Sequence, residues 1–293
     1  MTSATNDKAL WFVEELKAWK IHKSHFQAWM RCPRLFYYRY VAGEPVTLTD
    51  AMSVGIEVDW GIEEFWKYFR PEYMEEERDP YQFFRDVLES FLPEYPQTCH
   101  HWADHLRELW FAVQQTYPEN PWDIFAPFAV QFPFEVPYPP AAKLTGEDVK
   151  LAGTIDFLRY VAEKQQLAAI EVGEIKCSRR VFGGNFFTEV RRELVFYQTA
   201  LSHLEEDFPY RPLLPFKYHS IINPLLGKDM FEKVHGATVK AFLGNFMTFI
   251  TALVEGKFPR NMNNCARCDY TRQCLSSKYC LARLELYRGR DYL

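Results

Sequence analysis

The segment Ala169-Ile-Glu-Val-Gly-Glu-Ile-Lys-Cys177 carries side chains whose types and spacing suit phosphoester chemistry. Glu174 and Lys176 are two residues apart, so on a strand both project from one face. Ile175 points to the other face, but its carbonyl can still turn toward an ion. The preceding strand candidate offers Gly153-Thr-Ile-Asp156, and adjacent strands would bring the Asp156 and Glu174 carboxylates together. Paired carboxylate oxygens beside a lysine suit Mg²⁺ or Mn²⁺, which prefer hard oxygen donors. Such an ion lowers the pKa of a bound water and stabilises charge on a phosphate. Lys176 would orient that water or neutralise phosphoryl oxygens. An isolated Glu-x-Lys is more often a solvated ion pair on an edge strand. Glu171 is a competing carboxylate in the same strand, with no lysine two residues later.

A second constellation lies near the C-terminus, where Asn264-Cys-Ala-Arg-Cys-Asp-Tyr-Thr-Arg-Gln-Cys274 spaces its thiols as C-x-x-C-x5-C. Three thiolates imply a fourth ligand, for zinc or for an iron–sulfur cluster. Cys280 is the local candidate for a zinc knuckle. The seven cysteines, an odd number with four of them between 265 and 280, argue for metal binding over a disulfide framework.

These residues need elements to position them. The first 120 residues read as mainly helical: a capping box at Ser24–Gln27, a helix from Asp50 that puts Gly55 and Asp59 on one face, a Pro80 start, and a helix over roughly 100–117. From about 124 the pattern turns to short β-rich segments, then a helix over Thr188–Leu204, a strand at FKYHSIINP, and a long helix expected from Lys228 to Gly256. The expected fold class is α/β of the α+β type, a mixed central sheet flanked by helices. The expected division is a mainly helical segment over 1–123 with a possible cap over the site, a core over 124–256, and a cysteine segment over 257–293.

With 48% hydrophobic and 17% aromatic residues the chain can bury a large core. Its net charge of -5 exerts no global pull on nucleic acid, so any such surface must be a local patch. Arg179, Arg180, Arg191 and Arg192 bracket the segment after the Glu174 strand and supply one. No run approaching the roughly 20 apolar residues of a membrane span is expected, and the N-terminus lacks a secretory pattern; a cytoplasmic protein with no membrane partner is the expectation. Neither Gly-Lys dipeptide follows the upstream glycine of a phosphate-binding loop, so any unwinding of duplex DNA would need a partner protein.

Taken in order, these segments resemble the PD-(D/E)xK nucleases, in particular the RecB-like branch with an iron–sulfur cluster, which includes the nuclease domain of AddB and the CRISPR-associated four-cysteine exonucleases. SHFQAWMRCPRLFYYRY resembles the segment bearing the first cluster cysteine, here Cys32. GIEVD resembles G-x-x-x-H, with Asp59 in place of a metal-binding histidine. GTID and GEIK match the catalytic strands, and RELVFY resembles Q-L-x-x-Y, with Glu193 in the glutamine position and Tyr197 as the tyrosine. The resemblance spans about Ser24 to Cys274. It implies a restriction-endonuclease-like fold and a Mg²⁺- or Mn²⁺-dependent exonuclease acting on single-stranded DNA or DNA ends. Asp59, Asp156, Glu174 and the Ile175 carbonyl would hold the metal, with Asp156, Glu174 and Lys176 catalytic. Cys32, Cys265, Cys268 and Cys274 would hold a 4Fe-4S cluster. Glu193, Tyr197 and the four arginines would meet DNA, and a helicase or a recombination or adaptation protein is the implied partner. The rival expectation is an inactive DNA-binding or assembly subunit, favoured by the changes at Asp59 and Glu193.

Overall fold

The computed structural model describes residues 13–46, 50–69, 80–177, 185–204, 214–261, 268 and 270–274. In chain order the principal elements are β1 (Lys20–Ile21), α1 (Lys23–Arg31), α2 (Asp50–Tyr68), α3 (Pro80–Phe91), α4 (Pro96–Thr116), β2 (Ala129–Pro137), β3 (Lys150–Glu163), β4 (Gln166–Ile175), α5 (Asn185–Leu201), β5 (Phe216–Asn223), β6 (Lys228–Lys233) and α6 (Gly236–Val254). The sheet is mixed and flanked by helices, as expected. Its order is β1-β3-β4-β5-β6, with β2 also paired to β3. β3–β4 and β5–β6 are antiparallel, while β4–β5 and β1–β3 are parallel.

The chain divides into two compact units. Unit 1 comprises residues 1–48, 137–152 and 241–293; unit 2 comprises 49–136 and 153–240.

Unit 2 is built on the β3–β4 hairpin. Lys164 and Gln165 both take positive φ (53° and 61°), the handedness a two-residue hairpin turn needs to match strand twist. The register that follows pairs Phe157 with Gly173 and Arg159 with Glu171. Alternation then sorts the side chains. Asp156, Leu158, Val172 and Glu174 share one face, here the front, while Phe157, Arg159, Glu171 and Ile175 share the back. Helices α2–α4 bury their apolar stripes in one cluster with Phe157, Ile175 and Ile222, and this cluster contains Phe65, Phe84, Trp102 and Phe125. The stretch from about 60 to 120, for which a cap over the site was one expectation, contributes residues to this cluster. Helix α5 packs on β4 and β5.

Unit 1 is held by aromatic packing. Phe26 of α1 meets Phe242 and Phe246 of α6, both with centroids 5.2 Å away, and Tyr138 meets Phe246 at 5.6 Å. β1 pairs with the first residues of β3, Lys20 with Lys150 and Ile21 with Leu151. By length and composition α6 is apolar enough to cross a membrane, contrary to the sequence expectation. Its interrupting Gly244, Asn245 and Thr248 mask the run in the sequence. Phe242, Phe246, Phe249 and Ile250 are buried, as in a core helix.

Two local expectations are corrected. Helix α1 begins at Lys23 with His22 as its N-cap, and the His22 N–H donates to His25 Nδ1 at 3.2 Å; Ser24 therefore lies inside the first turn. The long helix expected from Lys228 begins only at Gly236. Gly227, at φ +56°, turns the chain so that Lys228–Lys233 pairs antiparallel with β5, and strand pairing overrides the apparent helical period.

Candidate active site

The front face of unit 2 gathers the acidic residues at the open end of the hairpin. Phe157–Gly173 is the last ladder pair given by the register. Beyond it the Asp156 side chain does the work of a strand: the Ile175 N–H donates to its Oδ2 at 2.7 Å. Asp156 and Glu174 are both buried, at 8% and 2% exposure. Burying carboxylates is costly unless cations or hydrogen bonds compensate. The nearby cation is Lys176, whose Nζ donates to Glu174 Oε1 and, at 2.7 Å, to Glu193 Oε2. Glu193 comes from α5 and is itself buried.

Several charges converge. The Tyr197 hydroxyl is pushed well above its usual pKa, first by burial and then by the charges of Glu174, Asp156 and Glu193. Burial also pushes the Cys177 thiol up to about 12, with Asp59 and Asp156 adding to the effect. Asp59 reaches this neighbourhood on α2, one turn after Gly55, which faces Cys177 at ordinary van der Waals distance. A Cβ on Gly55 would lie 3.6 Å from Cys177 Cβ. The i, i+4 face read from the sequence is therefore the face α2 turns toward the strand end. Ile175 is placed by its amide, and its side chain lies in the back cluster.

Glu171 stays apart from this group. Three residues from Glu174, it emerges on the back, where Arg159 Nε and Nη2 donate to its two oxygens at 3.1 and 2.7 Å. Strand parity alone separates the competing carboxylates.

Of the residues expected at DNA, Tyr197 is closed to solvent and packs edge-on to Phe134 at 5.9 Å. A ring so enclosed has no open face for base stacking. Arg191 is engaged by Glu232 through two hydrogen bonds, and Arg192 is partly exposed. Arg179 and Arg180 lie outside the described residues. Glu193 as a partner of Lys176 was not foreseen; the only sequence signal was a second acid on the helix following the strand.

The donors fit a hard divalent cation in chemical type. Asp59, Asp156, Glu174 and Glu193 bring four carboxylates to a neighbourhood where Lys176 is the cation holding two of them. Among the described residues, however, no group of three or more His, Cys, Asp or Glu side chains is assembled as a metal cage.

In unit 1, Cys32 is buried at the C-terminus of α1, and the Asn261 N–H donates to its Sγ at 3.3 Å. The Asn261 side chain donates to the Arg31 carbonyl at 3.0 Å. The Tyr270 hydroxyl donates to the Glu44 and Pro45 carbonyls at 3.0 and 3.2 Å. Cys274 is buried and Cys268 partly so; Cys265 and Cys280 lie outside the described residues.

The family model described as the PD-(D/E)XK nuclease superfamily matches residues 23–275. No curated protein sequence matches the chain.

Proposed function

Because the chain belongs to the PD-(D/E)XK nuclease superfamily, whose members are metal-dependent nucleases using Mg²⁺ or Mn²⁺, we propose that it is an active deoxyribonuclease that degrades single-stranded DNA from an end. The observation that carries this reading is the pairing of Asp156 and Glu174, both buried on the front face, with Lys176 held between Glu174 and Glu193.

In this reading Asp59, Asp156, Glu174 and the Ile175 carbonyl hold the ion. When bound, Mg²⁺ or Mn²⁺ supplies Lewis acidity, lowering the pKa of a water and offsetting charge on the phosphate. The chain does the remaining work. The Ile175 amide fixes Asp156. Lys176 orients the attacking water and neutralises phosphoryl oxygens, and Glu193 holds the lysine in place. Arg192, with Arg179 and Arg180, meets the DNA backbone. Tyr197 supports the site from within, its hydroxyl near the carboxylates.

The cysteines form the second part of the proposal. Cys32, Cys265, Cys268 and Cys274 would hold a 4Fe-4S cluster, making metal binding part of the folding free energy of unit 1. The tie between Cys32 and Asn261 supports this, because a backbone N–H directed at sulfur is a common feature around cluster thiolates. Repair, recombination, phage DNA metabolism and CRISPR adaptation are the settings proposed, alongside a helicase or adaptation partner.

End-labelled single- and double-stranded DNA incubated with Mg²⁺ or Mn²⁺ tests the reading. Degradation of single strands, lost in Lys176→Ala while DNA binding persists, is expected. Binding without cleavage under either ion would leave the assembly subunit as the reading. Protein purified without air should be brown with about four irons per chain; a colourless, zinc-containing protein overturns the cluster.

A further inference from the structure

The back face of unit 2 holds a cavity of about 250 Å³ between α4 and strands β3–β6. It lies across the sheet from Asp156 and Glu174. Leu109 and Val113 of α4, Val161 of β3 and Ile222 of β5 give it apolar walls, and Phe231, 51% exposed, stands at its rim.

Two of its lining residues carry buried polar atoms without hydrogen-bond partners among the described residues. Ser220 is 3% exposed, yet its hydroxyl has no hydrogen-bond partner among the described residues. The same is true of His105 Nε2, while His105 Nδ1 lies 3.4 Å from Asp229 Oδ2. A buried polar atom without a partner is destabilising, and two of them line one cavity. They are what a ligand's hydrogen-bonding edge would satisfy.

Charge and size narrow the class. Arg159 is committed to Glu171 by two hydrogen bonds, and Asp229 keeps its charge because His105 holds its carboxyl below the usual pKa. No uncommitted cation lines the cavity among the described residues, so phosphates and other anions are disfavoured. A cavity of about 150 Å³ holds benzene, so one of 250 Å³ suits a fused two-ring system.

We propose that this cavity binds an uncharged bicyclic heteroaromatic molecule of purine-base or indole type. Its flat faces lie against the apolar walls, and its polar edge meets Ser220 and His105. This site is independent of the nuclease reading.

Binding of adenine and of indole to the full chain, followed by ligand-observed NMR and thermal shift, is the test, with adenosine monophosphate as the charged counterpart. Saturable binding of at least one base-like probe is expected, with the monophosphate excluded. Ser220→Ala should weaken binding about tenfold through one lost hydrogen bond. Ala112→Trp, at an exposed lining position of α4, should abolish it while leaving the fold and any DNA cleavage intact. Water alone in the cavity, seen as no saturable binding of either probe, overturns the proposal. So does binding that ignores both substitutions, or equal binding of the monophosphate.

Discussion

Gly173→Ala is the sharpest test of how the hairpin sets the strands that carry the proposed catalytic carboxylates. A Cβ at this position would fall onto the Phe157 ring, against its Cζ and both Cε atoms. Carbon atoms settle at ~3.5–4.0 Å, so the ring must retreat by about 1 Å or more. Phe157 is 2% exposed and sits in the back cluster, with the Arg159 guanidinium 5.4 Å from its ring centroid. Overpacking costs about 1–3 kcal/mol, and losing the cation–π contact adds about 0.5–2 kcal/mol. The expected destabilisation is therefore about 1.5–5 kcal/mol, read by urea denaturation. Cleavage should fall as well, because Gly173 and Phe157 adjoin Glu174 and Asp156; a displacement of about 1 Å is worth roughly 10²-fold in rate. Phe157→Leu removes the obstructing ring, so the double variant should recover about 2 kcal/mol relative to the sum of the single changes. Additivity within about 0.5 kcal/mol would refute the reasoning.

Two further outcomes follow from neighbouring residues. Glu193→Gln retains an oxygen acceptor for Lys176, so cleavage should persist, whereas Glu193→Leu should lower kcat by about 10²-fold with DNA affinity unchanged; equal loss in both variants would show that the charge, not the hydrogen bond, matters. His219 donates from Nε2 to Gln198 Oε1 at 3.1 Å, and burial lowers its pKa from 6.5 to about 4. Above pH 6.5 it is neutral in both the folded and unfolded chains. As pH falls from 6.5 to about 4 only the unfolded chain takes up the proton, so stability should decline by roughly 3 kcal/mol. Denaturation midpoints across that window, compared with His219→Gln, should show a shallower slope in the variant.

Much of unit 2 was legible because its signals are local. The β-rich runs around Asp156 and Glu174 are short and set off by turn and polar residues, and the i, i+4 relation of Gly55 and Asp59 marks the helix face that meets Cys177. The Arg159–Glu171 pair was hidden only until the turn at Lys164–Gln165 fixed the register. β6 was misread because Asp-Met-Phe-Glu-Lys suits a helix locally, while its strand state depends on β5 and on the turn at Gly227. Glu193 meeting Lys176, and Tyr197 turning inward, follow from how α5 lies on the sheet, which periodicity alone does not reveal.

The division of the chain also orders its folding. Asp156 and Ile175 meet across a hairpin, a contact that loop closure makes fast. All of unit 2 is present once residue 240 has been made, whereas unit 1 needs Ala241–Leu293 to join its earlier segments. The hydrogen bond from Asn261 to Cys32 closes a separation of 229 residues. On a ribosome, the carboxylate hairpin therefore forms while the N-terminal part of unit 1 still waits for its closing segment. Translation thus imposes a sequence of assembly in which the hairpin bearing the proposed catalytic carboxylates precedes the closing of unit 1.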